Sequence, residues 1–229
     1  MFDKKRKKVV IVMPAFNEEK AIGSTIKSLH QNGFRNIIVV DDGSTDYTYQ
    51  IAEKAGAIML RHPINRGLGG ALGTGIQAAL DDNADIIVTF DSDGQHDSAD
   101  IKSLIKPILL NKADAVIGSR LINPKGMPFL RQIGNRILNL ITYLLFGVWT
   151  TDSQSGLRAF NRKAAKSIDI RTNKMEVSSE IIKEIGRAGL RFKEISIKAI
   201  YTDYSKAHGQ SSWNAFRIMG KLILRRLMR

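Results

Sequence analysis

The sequence predicts an α/β fold with a mostly parallel, Rossmann-like central sheet flanked by helices. Three observations carry that reading. Apolar, β-branched runs recur at 9–13 (VVIVM), 37–40 (IIVV), 86–90 (IIVTF) and 115–117 (AVI). Each is short enough for a strand and apolar enough to be covered on both faces. Helix-like segments alternate with them, at roughly 18–31, 46–56, 70–81 and 98–111, which is the βαβ rhythm of a parallel sheet. The residues that follow the first three runs, Pro14 to Glu18, Asp41 to Asp46 and Asp91 to Asp97, are polar and acidic. Ligands of such sheets bind beyond the C-terminal ends of the strands.

The first strand ends in PAFNE. Pro14 pre-sets a turn, and Asn17 or Glu18 can either read a nucleotide or cap the helix that follows. The second strand ends in DDGSTD, where Gly43 permits a tight turn and Ser44 or Asp46 caps the next helix. At least one of Asp41 and Asp42 has no capping task, and a strand-end Asp accepts hydrogen bonds from a base or a ribose. Asn65 to Gly70 (NRGLGG) opens a helix and lacks the Lys-Ser/Thr of a P-loop. Backbone approach to a ligand and close helix packing both explain its glycines.

The fourth element of this series is FDSDGQHD. Alternate residues of an extended segment share a face, so Asp91, Asp93 and Gln95 point to one side. Two carboxylates and an amide oxygen suit a hard divalent cation, Mg²⁺ or Mn²⁺, whose shell waters and a diphosphate would complete. Asp-x-Asp also occurs in turns and caps. His96 is out of phase and reads as structural or as a partner of the ligands.

After Arg120 the rhythm breaks. Residues 121–135 hold Pro124, Gly126 and Pro128 and read as a loop. A strongly apolar helix then covers Ile133 to Trp149, another helix 175–188, strands 192–201, and a basic amphipathic helix 213–227. No repeat or low-complexity linker divides the chain. A domain over 1–212 with a basic amphipathic helix over 213–229 is the simplest organisation.

Composition limits the function classes. With 229 residues, 43% apolar and 25% charged, the chain is globular rather than disordered. It has no cysteine, which excludes disulfides and Cys-based zinc sites. Lys plus Arg number 35 against 22 Asp plus Glu, a net charge of +13, which favours an anionic partner. No recognisable nucleic-acid reader module or stacking platform accompanies that charge. The longest uncharged stretch, Ile137 to Thr151, is shorter than the ~20 residues a spanning helix needs. The N-terminus lacks the long apolar region of a signal peptide. A cytoplasmic protein is expected.

PAFNE, VVDDGSTD, NRGLGGA, FDSDGQH and DSQSGLRAF occur in this order over about residues 8–212. In this the chain resembles the family 2 inverting glycosyltransferases of GT-A fold, and within them the polyprenyl-phosphate (dolichyl-phosphate) mannose and glucose synthases. The resemblance implies a nucleotide-diphosphate sugar as donor, Mg²⁺ or Mn²⁺ on Asp91, Asp93 and Gln95, and a polyprenyl phosphate as acceptor. It places Pro14, Ala15, Asn17, Glu18, Asp41, Asp42, Asn65, Gly67, Asp91 and Ser92 at the nucleotide sugar. It places Arg120, Arg131 and Asn135 at the acceptor phosphate, a task suited to Arg. Arg158 reads as structural. Residues 201–212 match a loop near the diphosphate, with Lys206, and His208 behind it, as contacts. Lys206 stands where the family usually has Arg, and Ser212 where it has Lys.

A lipid monophosphate is already an anion, whereas a sugar hydroxyl needs a general base. Transfer to a glycan hydroxyl would therefore ask for a base such as Asp152 or Glu180. A basic protein that binds nucleotide sugar or nucleic acid without turnover is the reading from another class. The acceptor also implies a membrane. Lys4 to Lys8 and the Arg-rich C-terminus can meet anionic lipid, and one face of the 133–149 helix, with Tyr143 and Trp149, can enter the bilayer surface. A peripheral position on the cytoplasmic face follows, with or without a membrane-embedded partner.

Overall fold

The computed structural model describes residues 7–198 and 200. Seven strands form one sheet: β1 (Val9–Ala15), β2 (Ile37–Asp41), β3 (Ile58–Arg61), β4 (Ile86–Thr89), β5 (Ala115–Ser119), β6 (Arg158–Asn161) and β7 (Phe192–Ser196), in the order β3-β2-β1-β4-β6-β5-β7. All pairings are parallel except the two made by β6, which runs antiparallel to β4 and β5. The mostly parallel sheet expected from the apolar runs is present. β3 and β6 are additional: each mixes polar with apolar residues (IMLR and RAFN), so neither stands out as an apolar run.

Seven helices accompany the strands among the described residues: α1 (Ile22–Gln31), α2 (Thr48–Lys54), α3 (Leu68–Asp81), α4 (Asp100–Leu109), α5 (Phe129–Phe146), α6 (Arg162–Ser167) and α7 (Val177–Arg187). Successive strand residues point to opposite faces, so each strand feeds two cores. Val10, Val12, Ile38, Val40 and Ile87 pack under α3, α6 and α7. Ile11, Met13, Ile37, Val39 and Val88 pack under α1, α2 and α4. The segment 121–128 is irregular, as read, but α5 begins at Phe129, four residues before the expected start. Pro128 is its N-cap residue, so the last proline of the loop also launches the helix.

Two topological features position the site. From β1 the chain passes to β2 on one side, while β4 lies on the other. Such a reversal opens a crevice at the C-terminal strand ends. The antiparallel β6 then brings its N-terminal end to that same edge, since Arg158 pairs with Thr89 at the end of β4. The DSQSG segment thereby lies beside FDSDG. The expected helix at 213–227, the 201–212 loop and the domain boundary at 212 lie outside the described residues.

Candidate functional site

A cleft of about 430 Å³ opens over the ends of β1, β2 and β4. It collects Pro14, Ala15 and Glu18 from the first strand end, Asp42 from the second, and Asn65 and Gly67 before α3. Asp91, Ser92, Asp93 and Gln95 come from the fourth strand end, Arg120 follows β5, and Arg131 and Asn135 stand on α5. Of the residues read from the sequence as site residues, Asn17 and Asp41 do not line it, and Lys206 and His208 lie outside the described residues. A larger groove of about 950 Å³ runs between α3 and α6. It contains none of the strand-end carboxylates, so the smaller cleft is the candidate site.

The end of β2 is spent on scaffolding. Asp41 is buried, accepts from the Ser44 amide at 3.0 Å and pairs with Arg61 at 3.2 Å. Asp42 accepts from the backbone amides of Arg66 (2.9 Å) and Gly67 (2.6 Å), and its Oδ1 lies 2.6 Å from His62 Nδ1. Asn17, exposed and in a left-handed conformation (φ 55°), accepts from the Thr45 amide. The glycines before α3 serve packing: a side chain on Gly67 or Gly69 would strike the backbone of Thr172 and Asn173, and the Gly69 amide donates to the Asn173 carbonyl. The Gly69 amide in the first turn of α3 is thus used inside the protein.

The end of β4 is different. The strand stops at Thr89, and residues 92–94 form a turn with Gly94 at φ 74°. Asp91 and Asp93 are therefore brought together by a turn, not by the extended alternation expected from the sequence. Asp91 keeps 35% of its side-chain surface open and has His96 Nε2 at 3.1 Å. Burial opposes its charge, but the hydrogen bond and charge of His96, with Arg158 and Arg120, outweigh it and hold the carboxyl below its ordinary value. Asp93 goes the other way: burial and the negative charge of Asp91 push its carboxyl up. Its own loop supports it, the Gln95 amide donating at 3.0 Å and the Gln95 side chain at 2.7 Å.

This set fits a hard divalent cation. Two crowded carboxylates, one of them raised by the other's charge, are what a cation between them would relieve. Among the described residues no group of three or more His, Cys, Asp or Glu side chains forms a complete cage. The protein would supply part of the shell and a bound diphosphate the rest, the usual pattern for Mg²⁺. His96, buried and stacked edge-on to Phe90, acts on Asp91 from behind, as its out-of-phase position implied.

Beneath Asp91 lies a buried charge group that the sequence reading only partly anticipated. Arg158 is 1% exposed. Burial draws its guanidinium down to about 10, against the pull of Asp91 and Asp152. Asp152 is fully buried and bound by Arg120 in a two-pronged pair, Nε to Oδ2 at 2.8 Å and Nη2 to Oδ1 at 2.9 Å. Arg120 thus spends much of its fork on Asp152 while lining the cleft. The loop that carries Asp152 is tied down by Glu194, which accepts from Thr150 and Thr151, and by Asn139 of α5, which bonds Thr151 and Ser153. Asn139 looked like one more polar residue of an apolar helix, and only its three-dimensional neighbours reveal it.

On α5, Arg131 and Asn135 are four residues apart, share a face and reach the cleft with Leu130, Gly134 and Leu138. The neighbouring stripe, Leu130, Ile133, Ile137, Leu140 and Leu144, is exposed, as are Phe129, Tyr143 and Trp149. Tyr143 and Trp149 stack edge to face. No helix among the described residues is long and apolar enough to cross a membrane. The two candidate bases do not line the cleft: Asp152 is locked to Arg120, and Glu180 accepts from the amides of Arg171 and Thr172 and from the Thr172 hydroxyl.

Comparison with known proteins gives the family and the fold. Residues 10–169 match the model of the family described as Glycosyl transferase family 2. A UDP-N-acetylglucosamine–dolichyl-phosphate N-acetylglucosaminyltransferase of Methanococcus voltae is 40% identical, over 95% of this chain and 96% of its own. A dolichyl-phosphate beta-glucosyltransferase of Trichomonas vaginalis is 28% identical, over 86% of this chain and 67% of its own. Crystal structures of glucosyl-3-phosphoglycerate synthase from Mycobacterium tuberculosis share the fold. One, with Mn²⁺, UDP-glucose and phosphoglyceric acid, superposes with a TM-score of 0.69 at 22% identity, covering 95% of this chain and 80% of that one.

Proposed function

Because the chain belongs to glycosyl transferase family 2, we propose that it moves a hexose, with inversion, from a nucleotide-diphosphate sugar to a polyprenyl (dolichyl) phosphate. The observation that carries the acceptor is the cleft wall on α5. There Arg131 and Asn135 line the same cleft as the metal-loop carboxylates, and the exposed apolar stripe includes Leu130 of that lining. A phosphate on a hydrocarbon chain matches both halves of that wall. The carboxylates considered as bases for a sugar hydroxyl are engaged elsewhere, which supports an acceptor that attacks as an anion.

In this reading Pro14, Ala15, Glu18, Asn65 and Gly67 line the nucleotide end, with Asp42 shaping the wall between them. Asp91, Asp93 and Gln95 would hold Mg²⁺ or Mn²⁺, and the ion would neutralise the diphosphate as it leaves. Arg131 and Asn135 would orient the acceptor phosphate, with Arg120 lining the same cleft. The Methanococcus voltae relative supports UDP-N-acetylglucosamine as donor; GDP-mannose and UDP-glucose are the competitors. The exposed stripe of α5 and the basic surface support a peripheral membrane position, electrostatically sensitive to salt.

The test is a panel of these three donors with Mn²⁺ or Mg²⁺ against polyprenyl phosphate, the corresponding polyprenol and a soluble glycan. Product is expected with the phosphate alone. Transfer to the glycan with none to polyprenyl phosphate would replace this reading by the hydroxyl-acceptor one.

A further inference from the structure

Asp91 is bounded on one side by His96 and by the charge of Arg158. It also lies against the bare backbone of Gly156. A Cβ placed on Gly156 would overlap Cγ and both carboxylate oxygens of Asp91. No other atom is among its three nearest neighbours, and that distinguishes Gly156 from Gly67 and Gly69, where the obstruction is the backbone of Thr172 and Asn173. Nor can the Gly156 backbone give way easily. Its carbonyl accepts from the buried Thr89 hydroxyl at 2.8 Å, and the next carbonyl, of Leu157, accepts from the Gly118 amide at 2.9 Å. One strand on each side of β6 therefore clamps the chain where it meets Asp91.

We propose that Gly156 is a positioning residue for the metal site: its Cα is the seat against which the Asp91 carboxylate packs, and that seat fixes the carboxylate's direction toward Asp93. The proposal rests on the reading of Asp91 and Asp93 as metal ligands. It gives the antiparallel β6 a purpose beyond sheet closure. A strand entering from this edge places a glycine two residues before its first pair with β4, Arg158 with Thr89. A methyl group at 156 would leave the two cores untouched and turn Asp91 away, because the atoms it meets are the free end of a side chain.

The experiment measures Mn²⁺ affinity, from the electron paramagnetic resonance of free Mn²⁺ with and without UDP, for wild type, Gly156→Ala, Asp91→Ala and the double variant. Circular dichroism melts accompany each. Gly73→Ala, where an added Cβ meets nothing, is the control. Gly156→Ala is expected to lower Mn²⁺ affinity by about 10–100-fold, the range for losing a ligand's support, with a native-like melt. The double variant is expected to bind no worse than Asp91→Ala, since the glycine acts only through that side chain. Wild-type affinity in Gly156→Ala, beside a loss in Asp91→Ala, would overturn the seat and leave the metal reading standing. Wild-type affinity in Asp91→Ala would overturn both. Should Gly156→Ala melt early, Asp91→Gly in the same chain is expected to restore the melt, and failure to restore it would place the clash elsewhere.

Discussion

The ends of β2 and β4 carry the same kind of residue in the same topological place, yet they do opposite work. At β2, Asp41 and Asp42 turn their oxygens to Ser44, Arg61, His62, Arg66 and Gly67 and lock three loops together. At β4, Asp91 and Asp93 share one turn, repel each other, and keep an open side toward the cleft. A strand-end aspartate is a scaffold where backbone amides converge on it. At β4 it stays open to the cleft beside a second carboxylate.

The largest effect expected from this contrast is at β4. Asp93→Ala should lower transfer by about 10²–10³-fold, the scale for removing one stabiliser of developing charge. Its melt should match wild type, and EDTA should have the same effect reversibly. Steady-state transfer assays and calorimetric melts check both. At β2 the pattern should invert. Asp42→Ala strands two backbone amides and His62, at about 1–3 kcal/mol for each unsatisfied group, so denaturant titration should show a loss of about 3 kcal/mol or more. A third variant sharpens the acceptor side. Arg131→Ala should raise the KM for polyprenyl phosphate about tenfold to a hundredfold, the cost of a charge-assisted bond. Donor affinity by calorimetry should be unchanged, and equal losses for both ligands would move Arg131 to the diphosphate.

Smaller effects are expected away from the cleft. Leu140→Asp with Leu144→Asp alters side chains that are already exposed, so stability should hold within about 0.5 kcal/mol. Sedimentation with anionic liposomes at low salt should fall, and unchanged binding would remove α5 from the membrane contact. The smallest effect concerns acid. The hydrogen bonds of Arg191 hold the Asp114 carboxyl well below its ordinary value. A depressed carboxylate stabilises the fold above its unfolded pKa, about 3.9, and loses that contribution as pH falls below it. Asp114→Asn should therefore narrow the stability gap to wild type between pH 5 and pH 2 in denaturant titrations, whereas a gap independent of pH would make the pair electrostatically irrelevant.

Much of this architecture is legible in the sequence. Continuous apolar runs mark β1, β2, β4 and β5, and the acidic residues after the first three mark the strand-end edge. β3 and β6 are not legible because IMLR and RAFN carry polar residues and make no continuous apolar run. With β6 went the antiparallel turn that places Gly156 and Arg158 beneath Asp91. The division between β2 and β4 was also hidden: DDGSTD and DSDGQH look alike until His62 and the 65–67 loop fold back on one and not on the other. Arg120 was read as a phosphate grip, and its pairing with Asp152 depends on a loop more than thirty residues later. The apolar character of α5 was visible, but which of its faces stays exposed depends on what packs against it.

The division of labour between the two strand ends is tested most directly by calorimetric titration of the accepted donor's nucleoside diphosphate, with and without Mn²⁺, into wild type, Asp93→Ala and Asp42→Asn. Asp93→Ala should lose the Mn²⁺-dependent part of the affinity, at least about tenfold, with an unchanged melt. Asp42→Asn should keep the Mn²⁺ dependence on a less stable fold. Mn²⁺-dependent binding that survives in Asp93→Ala and vanishes in Asp42→Asn would contradict the assignment outright.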